Sequence, residues 1–191
     1  MIQRSKHSES GFYLHDHEKL YNQLLHLEKR NKKIVLIGVT FALLDFAEKY
    51  SMQLENTIIM ETGGMKGRRV EWTREEVHQF LKERLGVRQV HSEYGMTELL
   101  SQAYSKKEGI FYPPFWMRIF LRDETDPLQI LPWPKENSSQ RGIINIIDLS
   151  NMYSCAFIAT EDAGRIFPDG SFQVLGRIDN SDLRGCSLMT S

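Results

Sequence analysis

A tyrosine, a glycine, a hydroxyl and a carboxylate lie within one short segment, directly after an apolar run that predicts a buried strand. The segment is Tyr94-Gly95-Met96-Thr97-Glu98. Ligands of α/β sheets bind outside the carboxyl ends of the strands. At such a position a tyrosine ring can cover a planar base, and a glycine lets the backbone approach closely. Thr97 could donate to a phosphate oxygen, and Glu98 could hold Mg²⁺, which prefers oxygen ligands. Local sequence alone favours a plainer alternative, a surface loop in which Thr97 caps a helix through Leu100.

Three other segments have compositions that suit the same kind of ligand. They span residues 60–65, 160–165 and 176–180. Gly63 and Gly64 permit a backbone wall against a flat ligand. Asp162 could accept hydrogen bonds from both hydroxyls of a ribose, as acidic residues do in other nucleotide folds. Arg177 could meet a phosphate or ribose oxygen. Taken separately, each segment is also a common turn composition.

The elements that must position these segments alternate between strands and helices in the first half of the chain. Apolar spacing predicts helices over 16–30, 40–50 and 73–85, and strands over 34–39, 57–60 and 87–92. The uninterrupted apolar run 34–39 is typical of a strand that is buried on both faces of a parallel sheet. Thr40 is placed to cap the second helix, residues 73–76 form a capping box, and Gly86 ends the third helix.

The second half of the chain changes character. Short apolar strands are predicted over 115–122, 143–147, 154–160 and 171–175, separated by Pro, Gly, Asn and Asp turns. This pattern indicates an antiparallel sheet or small barrel. The predicted fold class is therefore α/β, with a parallel α/β lobe followed by a small antiparallel β lobe. The predicted divisions are a flexible lead-in over 1–10, an α/β lobe over 11–105, a β-rich lobe over 106–182 and a tail over 183–191.

The composition excludes several classes of protein. Of the 191 residues, 41% are hydrophobic and 26% are charged, which is typical of a globular chain. Lys and Arg number 24 against 25 Asp and Glu, so there is no strongly basic nucleic-acid footprint. No apolar run approaches the about 18 residues of a membrane helix. Residues 1–10 lack an apolar signal-peptide region. The two cysteines cannot form a disulfide framework, which predicts a reduced, cytoplasmic protein.

In this order, the four segments resemble the core motifs of the adenylate-forming superfamily of acyl-activating enzymes. The Tyr-Gly-x-Thr-Glu segment matches one of these motifs without departure, and the Gly-Gly segment lies where the family has its adenine-lining turn. Asp162 matches the ribose-binding aspartate, although the usual preceding glycine is Glu161 here. Residues 176–179 match the hinge motif. The resemblance implies part of the large domain of such an enzyme.

A narrower resemblance is to the C-terminal half of acyl-protein synthetases of the LuxE type. It runs from about Gly11 to the end of the sequence, which stops a few residues beyond the hinge motif as those enzymes do. Enzymes of this type activate a fatty acid with ATP and then transfer the acyl group to a cysteine near their own C-terminus. Cys186 occupies that position, and a thiolate attacks an acyl-adenylate well.

The resemblance implies roles for individual residues, with ATP or AMP and Mg²⁺ as cofactors. Cys186 would accept the acyl group, Thr97 would contact the α-phosphate, and Glu98 would be the metal ligand. Asp162 and Arg177 would hold the ribose. The residues that would line the nucleotide are Gly63, Gly64, Met65, Tyr94, Gly95 and Met96. The substrate would be a fatty acid or another carboxylic acid, and a fatty acid reductase or acyl carrier would be the downstream partner.

Two alternatives remain open because the Ser/Thr/Gly-rich phosphate loop of the superfamily does not occur in these 191 residues. One is an acyl-CoA or aryl-CoA ligase of the phenylacetate type, which would not use Cys186. The other is a non-catalytic module that binds a nucleotide or a partner. Cys155 is expected to be an inert buried thiol. The six histidines lack the spacing of a zinc site.

Overall fold

The described part of the chain contains three α-helices, one 3-10 helix (Leu149–Asn151) and nine strands. The structure is a computed structural model that describes residues 5, 7–14, 16–63 and 72–178. The helices are α1 (His17–Lys29), α2 (Thr40–Lys49) and α3 (Arg74–Leu85). The strands are β1 (Ile34–Val39), β2 (Thr57–Thr62), β3 (Val90–Tyr94), β4 (Ala103–Ser105), β5 (Ile110–Tyr112), β6 (Met117–Arg122), β7 (Gln140–Asp148), β8 (Phe157–Ile166) and β9 (Phe172–Arg177). None of the three described helices has the length and apolar character needed to span a bilayer.

All nine strands belong to one sheet, in the order β1-β2-β3-β4-β5-β9-β8-β7-β6. β1, β2 and β3 are parallel, and every later pairing is antiparallel. The predicted succession of a parallel α/β half and an antiparallel β half is therefore confirmed. β4 and β5 were not predicted, because three-residue strands are too short to show a two-residue period.

Local signals set the ends of two helices, and at α3 they are the predicted ones. The Asp16 carboxylate accepts a hydrogen bond from a first-turn amide of α1. At α3, Thr73 and Glu76 form the complete capping box, and Gly86 ends the helix with φ of 66°. A side chain on Gly86 would be strained in this left-handed conformation, and its Cβ would lie 2.8 Å from the Gln53 backbone.

The expected cap of α2 is wrong. Val39 occupies the N-cap position, and no side chain there makes a cap hydrogen bond. Thr40 is instead the first helical residue, and its hydroxyl donates to Glu61 Oε2 at 2.7 Å. The hydroxyl can reach this buried carboxylate because α2 follows Val39, which is paired in register with Thr62 at the end of β2. The third strand also begins later than predicted, at Val90.

Two apolar cores lie along the sheet. The first joins the three helices to one face of β1–β3, and its fully buried side chains include Leu44, Phe46, Leu54, Ile59, Leu81 and Leu85. The second lies within the antiparallel half and includes Tyr94, Phe111, Met117, Ile119, Ile144, Ile146 and Phe172. Each half of the chain therefore has its own core, although one continuous sheet runs through both halves.

The expectation that β1 is buried on both faces is also wrong. Inward residues alternate with exposed ones, and Val35 and Ile37 are 57% and 42% exposed. β1 is an edge strand, and α1, α2 and α3 all pack against the core on the opposite face. In the described part of the chain, helices therefore cover this apolar strand on one face only.

Candidate functional site

A hydrogen bond joins two of the candidate residues across the sheet. The Tyr94 hydroxyl, at the end of β3, donates to Asp162 Oδ2 on β8 at 2.7 Å. β3 and β8 are four places apart in the strand order, so a flat sheet would hold them about 19 Å apart. The antiparallel half must therefore curl back toward the end of β3, as a barrel does. This curl brings two of the sequence motifs together.

The environment of Tyr94 keeps its hydroxyl protonated. The ring packs against Phe111 and Phe172, with ring centroids 5.9 and 5.3 Å away, and the residue is 8% exposed. Burial raises the pKa of Tyr94 far above its usual range, and the neighbouring Asp162 carboxylate raises it further. The tyrosine is therefore a permanent donor to Asp162 at neutral pH. Its ring lies in the core here, and its predicted role beside an adenine stays a prediction.

Asp162 and Arg177 are direct partners in the pairing of β8 with β9. The Arg177 guanidinium lies 3.4 Å from a carboxylate oxygen of Glu161, and both side chains are mostly exposed. Such exposed ion pairs contribute little to stability because water and salt screen them. Glu161 directly precedes Asp162 in β8, so the pair lies next to the aspartate of the predicted ribose site. Arg177 is able to leave Glu161 for a ligand at small energetic cost.

The loop that follows Tyr94 presents its two polar candidates to solvent. Thr97 and Glu98 are exposed and form a turn, which the Leu99 amide closes by donating to the Met96 carbonyl at 3.1 Å. No helix follows this turn, so the alternative in which Thr97 caps a helix is wrong. Asn151 Nδ2 donates to the Glu98 carbonyl at 2.6 Å and fixes the backbone of the loop.

A buried aspartate that the sequence analysis missed anchors the same loop. Asp148 is fully buried and accepts from the Ser101 hydroxyl at 2.7 Å, and from the Ser101 and Leu100 amides at 2.9 and 3.2 Å. Burial raises the pKa of Asp148, but the hydrogen bonds from Ser101, Ser150 and Leu100 outweigh it, and the pKa lies below its usual value. The only sequence signal was an acidic residue at the end of an apolar run.

The end of β2 lies beside the end of β3. Thr62 and Glu93 are paired in register, and the Thr62 hydroxyl donates to Glu93 Oε1 at 3.1 Å. Gly63 follows with φ of 75°, a conformation that favours glycine. The structure therefore places Gly63 next to the Tyr94 segment, as the motif order predicts. Gly64, Met65 and Cys186 lie outside the described residues.

A second missed group is a buried carboxylate beneath these strand ends. Glu61 accepts from Thr40, lies 3.6 Å from both Arg74 Nε and His78 Nε2, and is paired in register with Ser92. Ser92 Oγ is also 3.2 Å from His78 Nε2. Burial raises the pKa of Glu61, but the bonds from His78 and Ser92 and the Arg74 charge outweigh it, so the pKa lies below its usual value. Glu61 thus ties α2, α3 and β3 to the end of β2.

The expectation that Cys155 is buried is wrong. Its thiol is exposed, because the residue lies in the turn before β8 and not within the strand. Among the described residues, no three His, Cys, Asp or Glu side chains are grouped closely enough to hold a metal ion.

The chemistry of the described residues fits a nucleotide with Mg²⁺. The exposed Glu98 carboxylate is a suitable ligand for Mg²⁺, which usually takes one or two carboxylates together with phosphate oxygens and waters. The exposed Thr97 hydroxyl can donate to a phosphate oxygen. Asp162 and Arg177 lie on adjacent strands and offer an acceptor and a donor for a diol. The link between the two pairs is Tyr94, which bonds to Asp162 and directly precedes the loop of Thr97 and Glu98.

No protein-family model matches the sequence, and no curated protein is significantly similar to it. Solved structures do match the fold. ATP-bound MatB from Rhodopseudomonas palustris has a TM-score of 0.53 and 19% identity, over 85% of this chain and 33% of its own. O-succinylbenzoate coenzyme A synthetase (MenE) from Bacillus subtilis, in complex with ATP and magnesium ion, has a TM-score of 0.53 and 19% identity, over 83% and 34%.

A mutant form of coronafacic acid ligase from Pectobacterium brasiliense has a TM-score of 0.58 and 17% identity, over 84% of this chain and 32% of its own. This chain therefore spans about a third of the length of the solved structures it matches. The predicted fold class, a parallel α/β lobe followed by a small antiparallel β lobe, is confirmed, and the matched structures contain this fold as about a third of their length. At these identities the likeness concerns the fold, and the narrower assignment to acyl-protein synthetases stays a prediction.

Proposed function

We propose that this chain supplies the adenine and ribose side of the nucleotide site in an ATP-dependent enzyme that forms acyl-adenylates. The observation that carries this proposal is the 2.7 Å hydrogen bond from Tyr94 to Asp162, with Arg177 paired beside Asp162. These residues come from three of the four motifs and are far apart in the sequence. Their convergence at one place supports a shared ligand over three unrelated turns.

The reaction proceeds in two steps. A carboxylate oxygen of the acid attacks the α-phosphorus of ATP, the bond to the β-phosphate oxygen breaks, and acyl-AMP and pyrophosphate form. Asp162 and Arg177 would hold the ribose, and Thr97 would orient the α-phosphate. Glu98 would hold Mg²⁺, which offsets negative charge on the phosphates when it is bound. In this step the residues named here would position the nucleotide.

The second step that we propose is acyl transfer to Cys186, as in acyl-protein synthetases. The thiolate attacks the acyl carbonyl, a thioester forms, and AMP leaves with the bonding electron pair. A fatty acid is the proposed substrate, a reductase or acyl carrier the proposed recipient, and the cytoplasm the proposed location. The order of the four motifs and the Cys186 position in the sequence support this assignment.

The second candidate function is an acyl-CoA or aryl-CoA ligase. The matched structures favour it, since MenE is a coenzyme A synthetase and another match is a benzoate CoA ligase from Burkholderia xenovorans. In that case coenzyme A and not Cys186 would receive the acyl group. A non-catalytic nucleotide-binding or partner-binding module is the third candidate that the sequence leaves open.

The decisive experiment bypasses the missing loop by starting from a preformed long-chain acyl-adenylate. The purified chain is mixed with it, and the intact mass is measured for wild type, Cys186→Ser and Cys155→Ser. Cys155→Ser is the matched control because its thiol is exposed and lies outside the motifs. We expect one acyl adduct on wild type and on Cys155→Ser, and none on Cys186→Ser.

Other results would contradict the proposal in distinct ways. An adduct lost only in Cys155→Ser would mean that an accessible thiol reacts without a site. Acyl-CoA formed by Cys186→Ser after addition of coenzyme A would favour the ligase. If a non-hydrolysable acyl-adenylate analogue leaves the melting temperature unchanged in wild type and Asp162→Asn alike, the nucleotide site itself is refuted.

A further inference from the structure

Arg74 is the first residue of α3, and its side chain reaches from the parallel half of the sheet to the antiparallel half. Its Nε lies 3.6 Å from Glu61 Oε1 on β2, and its guanidinium carbon lies 5.1 Å from the ring centroid of Phe111 on β5. The buried residues Val77 and Leu81 of α3 belong to the first core, whereas Phe111 belongs to the second. Arg74 therefore connects the two cores.

The turn before β5 has a shape that lets this side chain lie against it. Gly109 has φ of 62°, a conformation that favours glycine. A Cβ on Gly109 would lie 3.2 Å from Arg74 Nη1 and 3.3 Å from Arg74 Cδ, which is closer than ordinary van der Waals contact. The guanidinium thus lies in a space that is bounded by the turn, the Phe111 ring and the Glu61 carboxylate.

A guanidinium can make both contacts at once because it is planar. Its N–H groups can be directed to a carboxylate while its face lies on an aromatic ring. The Arg74 side chain is 26% exposed, and its two partners, Glu61 and Phe111, are buried. Limited access of water strengthens both contacts relative to the same contacts on an open surface.

Phe111 extends the contacts of Arg74 to the candidate site. Its ring centroid lies 5.9 Å from that of Tyr94 and 5.5 Å from that of Phe172, with which it is paired in register. The Tyr94 and Phe172 rings are 5.3 Å apart. Because close-packed interiors transmit small displacements, the position of one ring sets the positions of the other two. The Tyr94 hydroxyl then donates to Asp162.

We propose that Arg74 is a positioning residue for the Tyr94–Asp162 pair of the candidate site. It holds Phe111 against the parallel half of the molecule, and Phe111 sets the place of the Tyr94 ring and so of the hydrogen bond to Asp162. The nucleotide part of this inference rests on the proposed function. The coupling between Arg74 and Tyr94 is independent of any ligand.

A double-mutant cycle measures this coupling without a ligand. Urea denaturation gives the free energy of unfolding for wild type, Tyr94→Phe, Arg74→Met and the double variant. In the Arg74→Met background, we expect Tyr94→Phe to cost about half or less of what it costs in wild type. The reason is that the ring is no longer held at hydrogen-bond distance from Asp162. An undiminished cost would overturn the proposal.

Arg118→Met is the matched control for this cycle. The Arg118 guanidinium lies 5.0 Å from the ring centroid of Trp133, a contact of the same kind at another place in the fold. Arg118 belongs to β6, the edge strand at the opposite end of the strand order from β1. In this background Tyr94→Phe should cost as much as in wild type. A reduced cost here too would show a general loosening of the sheet and would overturn the specific role of Arg74.

The effect on the nucleotide site is measured as the affinity for a non-hydrolysable acyl-adenylate analogue, at a temperature at which every variant is folded. We expect Arg74→Met to weaken binding about fivefold or more, and Arg118→Met to leave it unchanged. Arg74→Lys keeps a charge beside Glu61 and serves where Arg74→Met does not fold. Its affinity should lie between those of wild type and Arg74→Met, because an ammonium lacks the planar face.

The two measurements separate this inference from the proposed function. An Arg74→Met variant that is less stable but binds the analogue as wild type does would identify a purely structural residue and overturn the proposal. Weaker binding without coupling to Tyr94 would mean that Arg74 meets the ligand itself, which also overturns it. Coupling in the cycle, together with no binding of the analogue even by wild type, would support the positioning of Tyr94 and refute the proposed function alone.

Discussion

Tyr94 and Asp162 are 68 residues apart in the sequence, yet the tyrosine hydroxyl donates to the aspartate carboxylate at 2.7 Å. The bond closes the curl of the sheet, because it joins β3 to β8 across three intervening strands. It also orders a carboxylate beside Arg177 where the motif order predicts a ribose site. One contact thus contributes to the fold and to the candidate site.

Replacing Tyr94 by phenylalanine should lower the free energy of unfolding by about 1–2 kcal/mol, because a part-buried carboxylate loses its donor. The loss is measured by urea denaturation. Tyr112→Phe is the matched control, since that side chain is exposed, and it should change the stability by less than about 0.5 kcal/mol. Equal effects of the two changes would show that the bond to Asp162 does not stabilise the curled sheet.

Glu61→Gln should lower the free energy of unfolding more than Tyr94→Phe does, by about 2–3 kcal/mol. The change leaves Arg74 and His78 beside a neutral amide. The expected loss is below that of a fully buried pair, since the Arg74 side chain keeps partial contact with water. Glu124→Gln, at an exposed position, serves as the control. If Glu61→Gln lowers the free energy of unfolding no more than this control does, the Glu61 carboxylate does not stabilise the strand ends around it.

The contribution of Glu61 should depend on pH. Its pKa is lowered in the folded protein from an ordinary 4.5, so its stabilisation is present above that value and is lost as the pH falls through the folded pKa. The stability gap between wild type and Glu61→Gln should therefore be constant near neutral pH and shrink below about pH 4.5. Urea titrations at several pH values measure it. Asp148 and Asp169, whose pKa values are also lowered, cause a loss of stability in acid in both proteins. The difference in stability between wild type and Glu61→Gln cancels that shared loss.

Asp148→Asn should loosen the loop that bears Thr97 and Glu98. An amide cannot accept all the hydrogen bonds that the carboxylate accepts from Ser101 and Leu100, and we expect a loss of about 2–3 kcal/mol. Hydrogen exchange should accelerate at the amides of these two residues.

Asp126→Asn is the matched control for this change, because Asp126 is exposed and accepts one backbone bond outside the loop. Unchanged exchange at Leu100 and Ser101 in Asp148→Asn would contradict the anchoring role.

Much of the fold could be predicted from the sequence because the signals that specify it are local. β1 has the predicted bounds, and the capping box at Thr73 and the stop at Gly86 are confirmed. The order of the four motifs likewise predicted the fold that the matched structures contain. Periodicity, caps and short motifs depend on residues within a few positions of one another, so a single sequence is enough to identify them.

The tertiary structure alone decided which distant side chains meet. Thr40 looked like a helix cap and bonds to Glu61 instead, and Cys155 is exposed. Asp148 anchors a loop through the Leu100 amide, 48 residues earlier in the chain. These outcomes depend on the side to which each crossover helix packs and on how far the sheet curls. Both are set by burial summed over the whole molecule, and no local pattern of residues encodes that sum.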